Sequence, residues 1–387
     1  MNRVVVVGAG LAGMRSVEAL RARGYDGALT LLGEERHRPY DRPPLSKAVL
    51  FGDADSSFVD SDLDAMNVDF RPGVSAKALR AGTVETTEGD LDYDGLVIAT
   101  GAEPITLRGD GPQHVLRSLD DALELRARLV AGARVAIIGA GWIGAEVATA
   151  ARRAGCHVTV IEAGPTPLAQ AVGTEIGART QPWYEGIDLR LDTMVGAVEE
   201  GGVRLVGDEF VEAHVVVTGI GVRPTVEWLS DADIDLHNGV VVDEHLRTSM
   251  PGVVAVGDCA NWWSRRFQTR LRVEHWDVAL NAPEVAAATL LGEDAVYDPV
   301  PYFWSEQFGH MVQYAGHHPA AARLLYRGEP QGKWSAVWLG EDDTLVAVLA
   351  VDRPRDLVQG RRIIDSGARM DVERLVDPEV ALRDCVV

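Results

Sequence analysis

The chain carries one nucleotide-binding pattern twice, and this repeat limits the possible folds more than any other feature. The first copy, VVVVGAGLAGM, places Gly8, Gly10 and Gly13 between a β-branched run and a helical stretch. A second strand follows and ends at Glu34, about 20 residues after the last glycine. Gly8 permits a tight turn, Gly10 lets the backbone approach a pyrophosphate, and Gly13 lets the helix pack close to the strand. The segment therefore predicts a βαβ dinucleotide-binding unit.

The second copy reads VAIIGAGWIGAEVATAARRAGCHVTVIEA, with Gly139, Gly141 and Gly144 as its glycines and Glu162 as its terminal acid. A lone pattern of this kind is weak, because glycine-rich turns are common. The alternative interpretation is that both copies are only tight turns between a strand and a helix. Two copies, each with strand, helix and acid, favour an α/β protein with two Rossmann-like nucleotide-binding domains.

An internal repeat supports this organisation, because LVIATGAEP and VVVTGIGVRP both read as a buried strand that runs into Thr-Gly and then Pro. After Pro299 the pattern changes to several short alternating strands, with helical segments near RDLVQGRRI and DPEVALRDC. We therefore predict a C-terminal α+β domain. The predicted boundaries are 1–103 with 222–298 for the first nucleotide domain, 104–221 for the second, and 299–387 for the last.

Composition excludes several function classes. The net charge of −21 argues against nucleic acid and anionic membrane surfaces as partners. No apolar run reaches the roughly 20 residues that span a bilayer. Three cysteines stand far apart without a CxxC, which predicts no disulfide framework and a cytoplasmic protein. His157, His317 and His318 have no ligand partners at metal-binding spacing, so we predict no metal site.

Six segments carry a family resemblance: RPYDRPPLSK, IATGAEP, GAGWIGAEVA, VAVGDCAN, VEHWDVALNAPEVAA and PYFWSEQFG. With these, the chain resembles the ferredoxin/rubredoxin reductase family of flavoproteins, which includes NADH-dependent reductases of arene dioxygenases and bacterial cytochromes P450. It is also similar to apoptosis-inducing factor. The resemblance implies a bound FAD that accepts hydride from NADH. Single electrons then pass to an iron–sulfur ferredoxin that serves an oxygenase.

The resemblance also implies an FAD site. Lys47 is placed beside the flavin, where an ammonium group stabilises the charge gained on reduction. The alternative is a surface lysine that follows the Pro43-Pro44 turn. The residues implied for FAD are Gly8, Gly10, Leu11, Ala12, Gly13, Glu34, Glu35, Arg42, Lys47, Thr100, Gly101, Arg117, Gly257, Asp258, Glu274, His275 and Trp276.

For NADH, the resemblance places Glu146 near the nicotinamide and opposite Lys47. Glu146 is also compatible with a helix-first-turn acid, and both interpretations can hold. Trp304 completes the candidate catalytic set, although a plain core aromatic explains it equally well, and Trp276 too could be a plain core aromatic. The residues implied for NAD are Gly139, Gly141, Trp142, Ile143, Gly144, Glu146, Glu162, Gly219, Ile220 and Gly221.

The residues around Glu162 predict which of the two nicotinamide dinucleotides, NADH or NADPH, the chain prefers. Glu162 is followed by Ala-Gly-Pro-Thr, without an arginine or lysine. A 2′-phosphate would meet a carboxylate and find no cationic partner. The sequence therefore predicts a preference for NADH over NADPH.

An acidic ferredoxin needs a basic docking face, despite the negative total charge. The candidates are Arg265, Arg266, Arg270 and Arg272, with Arg361 and Arg362 as a second cluster; ordinary solvated charge is the alternative. We expect a monomer or a homodimer. The competing functions are an NADH oxidase or peroxidase, which normally uses a flavin-side cysteine, and a redox-sensing flavoprotein of the same fold.

Overall fold

A computed structural model describes all 387 residues, and the chain forms two compact units built from interleaved segments. The first unit comprises 1–41, 58–103 and 223–303. The second comprises 42–57, 104–222 and 304–387. Arg42 and Lys47 therefore lie in the second unit, although the predicted boundaries grouped them with the first glycine pattern. The division into three domains stays a prediction.

The first unit is built on a five-stranded parallel sheet. Its central strand, Arg3–Val7, is buried from Val4 onward, as expected for a β-branched strand covered on both faces. Helix Leu11–Ala22 packs against helix Trp276–Leu290. The strand order is Val253–Ala255, Gly95–Ile98, Arg3–Val7, Ala28–Gly33, Asp69–Pro72.

Two small sheets complete the first unit. One is an antiparallel meander inserted in the sequence between the parallel strands Asp69–Pro72 and Gly95–Ile98. The strands of the other precede and follow the Gly257-Asp258 segment in the sequence. Their strands are Ala76–Arg80, Thr83–Thr86 and Gly89–Asp92 in the first, and Val240–Val242, Ala260–Ser264 and Thr269–Leu271 in the second.

The second unit repeats the nucleotide-binding arrangement. A four-stranded parallel sheet has the order Asp188–Arg190, His157–Ile161, Arg134–Ile138, Val215–Thr218. An antiparallel sheet of Val195–Glu199, Gly202–Leu205 and Phe210–Glu212 follows. The short strands Ala102–Pro104 and Val222–Pro224, most of whose residues belong to the first unit, pair with each other. The helices of this part are Ala48–Phe51, Leu119–Arg128, Trp142–Arg153, Ala169–Val172 and Thr174–Thr180.

The C-terminal part is a five-stranded sheet followed by a helix, Pro354–Ser366, which packs on the sheet. The strand order is Tyr302–Gln307, His310–Gly316, Leu345–Val351, Trp334–Leu339, Arg323–Arg327. The predicted fold class, two Rossmann-like units and an α+β part, is confirmed. The helix predicted near DPEVALRDC is wrong: that segment holds only a 3₁₀ turn, Leu382–Cys385, and the short helix Val372–Leu375 precedes it. No helix is long and apolar enough to cross a bilayer.

A buried ionic cluster ties the C-terminal tail to this sheet. The Asp356 carboxylate accepts hydrogen bonds from Arg353 Nε and Ser335 Oγ at 2.7 Å each, and from Arg327 Nε at 3.4 Å. Arg327 is 1% exposed and also donates to the carbonyl oxygens of Leu375 and Val380. Asp356 thus neutralises a guanidinium that water cannot reach.

Replacement of Asp356 by alanine should leave Arg327 buried without its counter-ion. We expect Asp356→Ala to lower the free energy of unfolding by about 3–5 kcal/mol, measured by denaturant titration. Glu341→Ala, at an exposed acid in the same part of the chain, is the control and should change it by less than about 0.5 kcal/mol. Equal effects of the two substitutions would contradict this role of the cluster.

Candidate functional site

The first glycine loop combines crowded and open positions. Gly8 has a φ of +109°, which favours glycine, and a Cβ on Gly13 would lie 1.8 Å from the Gly8 carbonyl oxygen. A Cβ on Gly10 would meet nothing within 4 Å. Helix Leu11–Ala22 begins at a glycine N-cap, which offers no side-chain hydrogen bond to the first N–H groups of the helix. This geometry suits an anion at the helix N-terminus.

The second glycine loop has the same construction. Gly139 has a φ of +98°, and a Cβ on Gly144 would lie 2.0 Å from the Gly139 carbonyl oxygen. A Cβ on Gly141 would meet nothing within 4 Å, and helix Trp142–Arg153 begins without a side-chain cap. The adjoining Gly219 presents its carbonyl oxygen 2.3 Å from a Cβ on Gly139. In both loops the first and third glycines therefore pack against backbone atoms, whereas a side chain on the middle glycine would enter open space.

The two terminal acids differ in their surroundings. Glu34 is exposed and accepts a hydrogen bond from Ser75 Oγ at 3.4 Å. Glu162 is held by the backbone amides of Ala140 and Gly164, at 2.7 Å each, and neither oxygen pairs with an arginine or lysine. A carboxylate has lone pairs left for ribose hydroxyls after two such bonds. The neighbouring Glu35 accepts a hydrogen bond from a tyrosine hydroxyl.

Three segments meet at one edge of the first parallel sheet, where the carboxyl ends of adjacent strands lie together. Besides the first glycine loop, these are Thr100-Gly101 and Gly257-Asp258. Thr100 Oγ1 donates to the Thr225 carbonyl at 2.7 Å. Gly257 has a φ of +73°, and its Cβ would lie 3.0 Å from the Cβ of Ala12. The predicted Leu11 and Ala12 are buried at the start of the helix, so their contribution is limited to backbone.

The segment Glu274–Trp276 leads into the last helix of the first unit. His275 has a buried Nδ1 atom without a hydrogen-bond partner in the protein, and burial lowers its pKa to about 4 against the charge of Asp258. Trp276 Nε1 donates to Asp41 Oδ1 at 3.0 Å, and Glu274 pairs with Arg272 at 2.9 Å. A neutral imidazole with an orphaned nitrogen fits a site that receives a polar cofactor.

In the second unit, Lys47 and Glu146 form a buried ion pair. Lys47 Nζ lies 3.0 and 3.1 Å from the two Glu146 oxygens, and Glu146 is 3% exposed. The hydroxyl groups of Ser46 and Ser305 also donate to this carboxylate. The interpretation of Glu146 as a first-turn helix acid is wrong, because the helix begins at Trp142 and its first turn holds no acid.

Sequence reasoning missed Ser46 and Ser305. Ser46 stands inside RPPLSK and Ser305 inside PYFWSEQFG, so both lie in segments that the resemblance singled out. A strand alternation places Ser305 and Gln307 on one face and Trp304 on the other. Two polar residues at alternate positions of a predicted strand, Ser305 and Gln307, were a usable signal, because buried polar groups need hydrogen-bond partners.

The remaining predicted residues are positioned as follows. Arg42 donates to the Arg117 carbonyl oxygen. Trp304 is half-buried on strand Tyr302–Gln307. The side chains of Ile143 and Ile220 are exposed, Trp142 is half-buried at the helix start, and Gly221 has a φ of +112°.

The cysteines do not form a redox pair. Cys156, Cys259 and Cys385 are all free. Cys259, beside Asp258, is buried with its Sγ against the Val256 carbonyl oxygen at 3.3 Å, and burial raises the pKa of its thiol. A thiol in this state is a poor nucleophile.

The two arginine clusters differ in their contacts. In the first, Arg265 pairs with Glu244 at 2.6 Å, and Arg270 donates to the Val242 and Asn261 carbonyls. Arg266 is half-buried beside Asp298, to which its backbone N–H donates. In the second, Arg362 is exposed on helix Pro354–Ser366, whose outer face forms a shallow groove. The preceding residue, Arg361, is half-buried. The residues that line the groove are Pro354, Arg355, Val358, Gln359, Arg362, Ile363, Ser366 and Arg383.

Comparison with known proteins adds family information. Residues 2–282 match the family model described as pyridine nucleotide-disulphide oxidoreductase, and residues 302–386 match the reductase C-terminal model. The chain is 39% identical to the ferredoxin–NAD(+) reductase component of the anthranilate 1,2-dioxygenase system of Burkholderia cepacia, which covers 98% of both chains. It is 31% identical to putidaredoxin reductase CamA of Pseudomonas putida, over 100% of this chain and 97% of that one.

Solved structures agree with these matches. The crystal structure of Fdr9 superposes with a TM-score of 0.96 at 53% identity and covers 99% of both chains. The covalent putidaredoxin reductase–putidaredoxin complex superposes with a TM-score of 0.95 at 32% identity, over 99% of this chain and 98% of that one.

The two kinds of loop glycine should respond differently to alanine. Gly144→Ala puts a methyl group against a backbone carbonyl and should lower the free energy of unfolding by about 1–3 kcal/mol. Gly141→Ala should leave stability nearly unchanged, because its methyl enters open space, but should weaken NAD⁺ binding about tenfold by occupying the approach of the pyrophosphate. Denaturant titration and calorimetric NAD⁺ titration measure the two effects. If Gly141→Ala bound NAD⁺ as tightly as wild type, the prediction that this loop contacts the pyrophosphate of the dinucleotide would be wrong.

Proposed function

The chain belongs to the pyridine nucleotide-disulphide oxidoreductase family, and from this membership we propose that it is an FAD-dependent NADH:ferredoxin reductase. Membership confirms the predicted oxidoreductase class and its cofactors, FAD and NADH. The overall reaction oxidises one NADH to NAD⁺ and reduces two ferredoxin molecules by one electron each, with release of one proton. We place the protein in the cytoplasm, where free thiols are stable.

One observation carries the proposal: two complete nucleotide loops stand in a chain that matches ferredoxin–NAD(+) reductase components over nearly its whole length. Each loop offers an uncapped helix start for a pyrophosphate and an acid for a ribose. Transfer of electrons to a disulfide is not favoured by the cysteines, since Cys259 is buried and free. A one-electron protein acceptor agrees better with these features.

The first unit would hold FAD. When bound, FAD supplies the conversion from a two-electron donor to one-electron acceptors. Gly10 and the following helix start would receive the pyrophosphate, Glu34 the ribose hydroxyls, and Asp258 a ribityl hydroxyl. The buried Nδ1 of His275, which has no hydrogen-bond partner in the protein, would be available to a polar group of the cofactor.

The second unit would hold NADH around Gly141 and Glu162, and it supplies the Lys47–Glu146 pair. The ammonium group of Lys47 is fixed at 3.0 Å from Glu146, so its position needs no rearrangement when charge develops nearby. Glu146 would orient the nicotinamide end of the dinucleotide. Trp304 would contribute an aromatic surface on the same sheet that carries Ser305.

Glu162 should select NADH, because a 2′-phosphate would meet its carboxylate. We expect wild type to use NADH at least about a hundredfold better than NADPH in kcat/KM, and Glu162→Arg to narrow this ratio at least about tenfold. Glu162→Gln is the control, since it removes charge without adding a cation and should weaken NADH use without a comparable gain for NADPH. Comparable use of both dinucleotides by wild type would contradict the assignment.

For ferredoxin, the contacts favour the groove on helix Pro354–Ser366 over the first arginine cluster. Arg355, Arg362 and Arg383 line the groove together with Val358, which is 51% exposed, and no carboxylate is among the lining residues. Arg383 pairs with the neighbouring Asp384 at 3.6 Å. Arg355 and Arg362 are seven positions apart and share one helix face. An acidic ferredoxin could place its carboxylates against the arginines of this groove and an apolar surface residue against Val358, although the whole chain has a net charge of −21.

The docking proposal and the function are tested together by stopped-flow mixing. NADH should reduce the protein-bound flavin, and the reduced protein should then reduce 2Fe–2S ferredoxins in a salt-sensitive second-order step. The double variant Arg355→Glu/Arg362→Glu should slow this second step about tenfold at low salt and leave flavin reduction by NADH unchanged.

Arg108→Glu is the control, since Arg108 is exposed outside the groove and carries the same charge change per residue. An equal slowing by Arg108→Glu would remove the groove as the docking site. Failure of the wild-type protein to reduce ferredoxins of any cluster type would overturn the proposed function itself.

A further inference from the structure

The buried Glu146 carboxylate receives hydrogen bonds from two separate parts of the second unit. On one side, Lys47 and Ser46 contact it from the segment that follows the Pro-Pro turn. On the other side, Ser305 Oγ donates to Oε1 at 2.6 Å, and the Glu306 backbone N–H points to the same oxygen at 3.3 Å. The first strand of the C-terminal sheet therefore supplies two of the donors that the carboxylate needs.

The direction of the Ser305 hydroxyl is fixed by its neighbour on the strand. Gln307 Nε2 donates to Ser305 Oγ at 3.0 Å, so the serine oxygen acts as acceptor there and its hydrogen is left for Glu146. Ser305 and Gln307 are each 1% exposed. Water cannot reach this contact to replace a lost hydroxyl.

The strand does not need Ser305 to stay attached to helix Trp142–Arg153. Phe308 N donates to Thr149 Oγ1 at 3.0 Å, just beyond the strand end. The Phe308 ring lies 5.0 Å below the Arg152 guanidinium and 4.6 Å from the Tyr184 ring. These contacts hold the strand against the helix. The Ser305 hydroxyl is therefore not needed to keep the two elements together.

We propose that Ser305 is a positioning residue for the hydride-transfer site, through which the C-terminal sheet aligns Glu146 with Lys47. This inference rests on the proposed function, because it takes Glu146 and Lys47 to act beside the flavin and the nicotinamide. A hydroxyl dipole aimed at the carboxylate offsets part of its negative charge and fixes its rotamer. Without that dipole, Glu146 presents a less compensated charge, and the ion pair loses its fixed geometry.

The test compares Ser305→Ala, Ser305→Thr and Thr149→Val in the FAD-loaded protein. In Ser305→Ala, the limiting rate of flavin reduction at saturating NADH should fall about tenfold, with less than a twofold change in the NADH dissociation constant. The midpoint potential of the bound flavin, measured by dye equilibration without NADH, should become more negative, since the less compensated carboxylate opposes added electrons. Ser305→Thr keeps the hydroxyl on a residue that strands accept and should restore both quantities.

Thr149→Val is the matched control, because it removes a hydrogen bond from the same strand–helix junction without contact to Glu146. It should lower the unfolding temperature and leave the potential and the limiting rate at wild-type values. Equal changes in Ser305→Ala and Thr149→Val, or a Ser305→Ala variant indistinguishable from wild type, would overturn the inference. A wild-type protein that NADH does not reduce would instead show that the proposed function has failed.

Discussion

At each glycine loop the helix begins so close to the preceding turn that no side chain fits between them. The Cβ positions of Gly13 and Gly144 fall about 2 Å or less from a carbonyl oxygen, well inside any van der Waals contact. This closeness aims the uncapped helix start at the edge of the parallel sheet. The nearby strand ends then bring Thr100-Gly101 and Gly257-Asp258 to the first loop, so a local steric constraint arranges much of the proposed FAD site.

The Lys47–Glu146 pair depends on a second constraint, the cost of burial. A carboxylate that is 3% exposed is tolerated only when its charge is matched and its lone pairs are used. One lysine, two serine hydroxyls and a backbone amide meet this need. Because every oxygen of a buried carboxylate needs hydrogen-bond donors, strand Tyr302–Gln307 of the C-terminal sheet contacts helix Trp142–Arg153 at Glu146.

Sequence reasoning succeeded where the signal was local. The β-branched runs, the glycine spacing and the terminal acids predicted both βαβ units, since each of these features acts within one short segment. It missed the Ser305–Glu146 contact, because the partners are 159 residues apart and nothing local pairs them. It also assigned a helix to DPEVALRDC, where tail contacts with Arg327 hold a different conformation: Val380 gives its carbonyl to that buried guanidinium. Tertiary contacts outweighed local propensity there.

The second unit contains two buried carboxylates with serine donors, and they differ in the cations that hold them. Asp356 is held by two arginines, whose planar, always charged groups also bind tail carbonyls and leave little freedom. Glu146 is held by a single lysine, a compact charge on a flexible stem that can serve a second partner without leaving the first. Glu146 is balanced by one cation, with two serine hydroxyls in place of a second guanidinium, whereas Asp356 has two cations for one negative charge. In the proposed hydride-transfer site, a change of charge on a bound cofactor, such as reduction of a flavin, would alter the electrostatic energy of this pair.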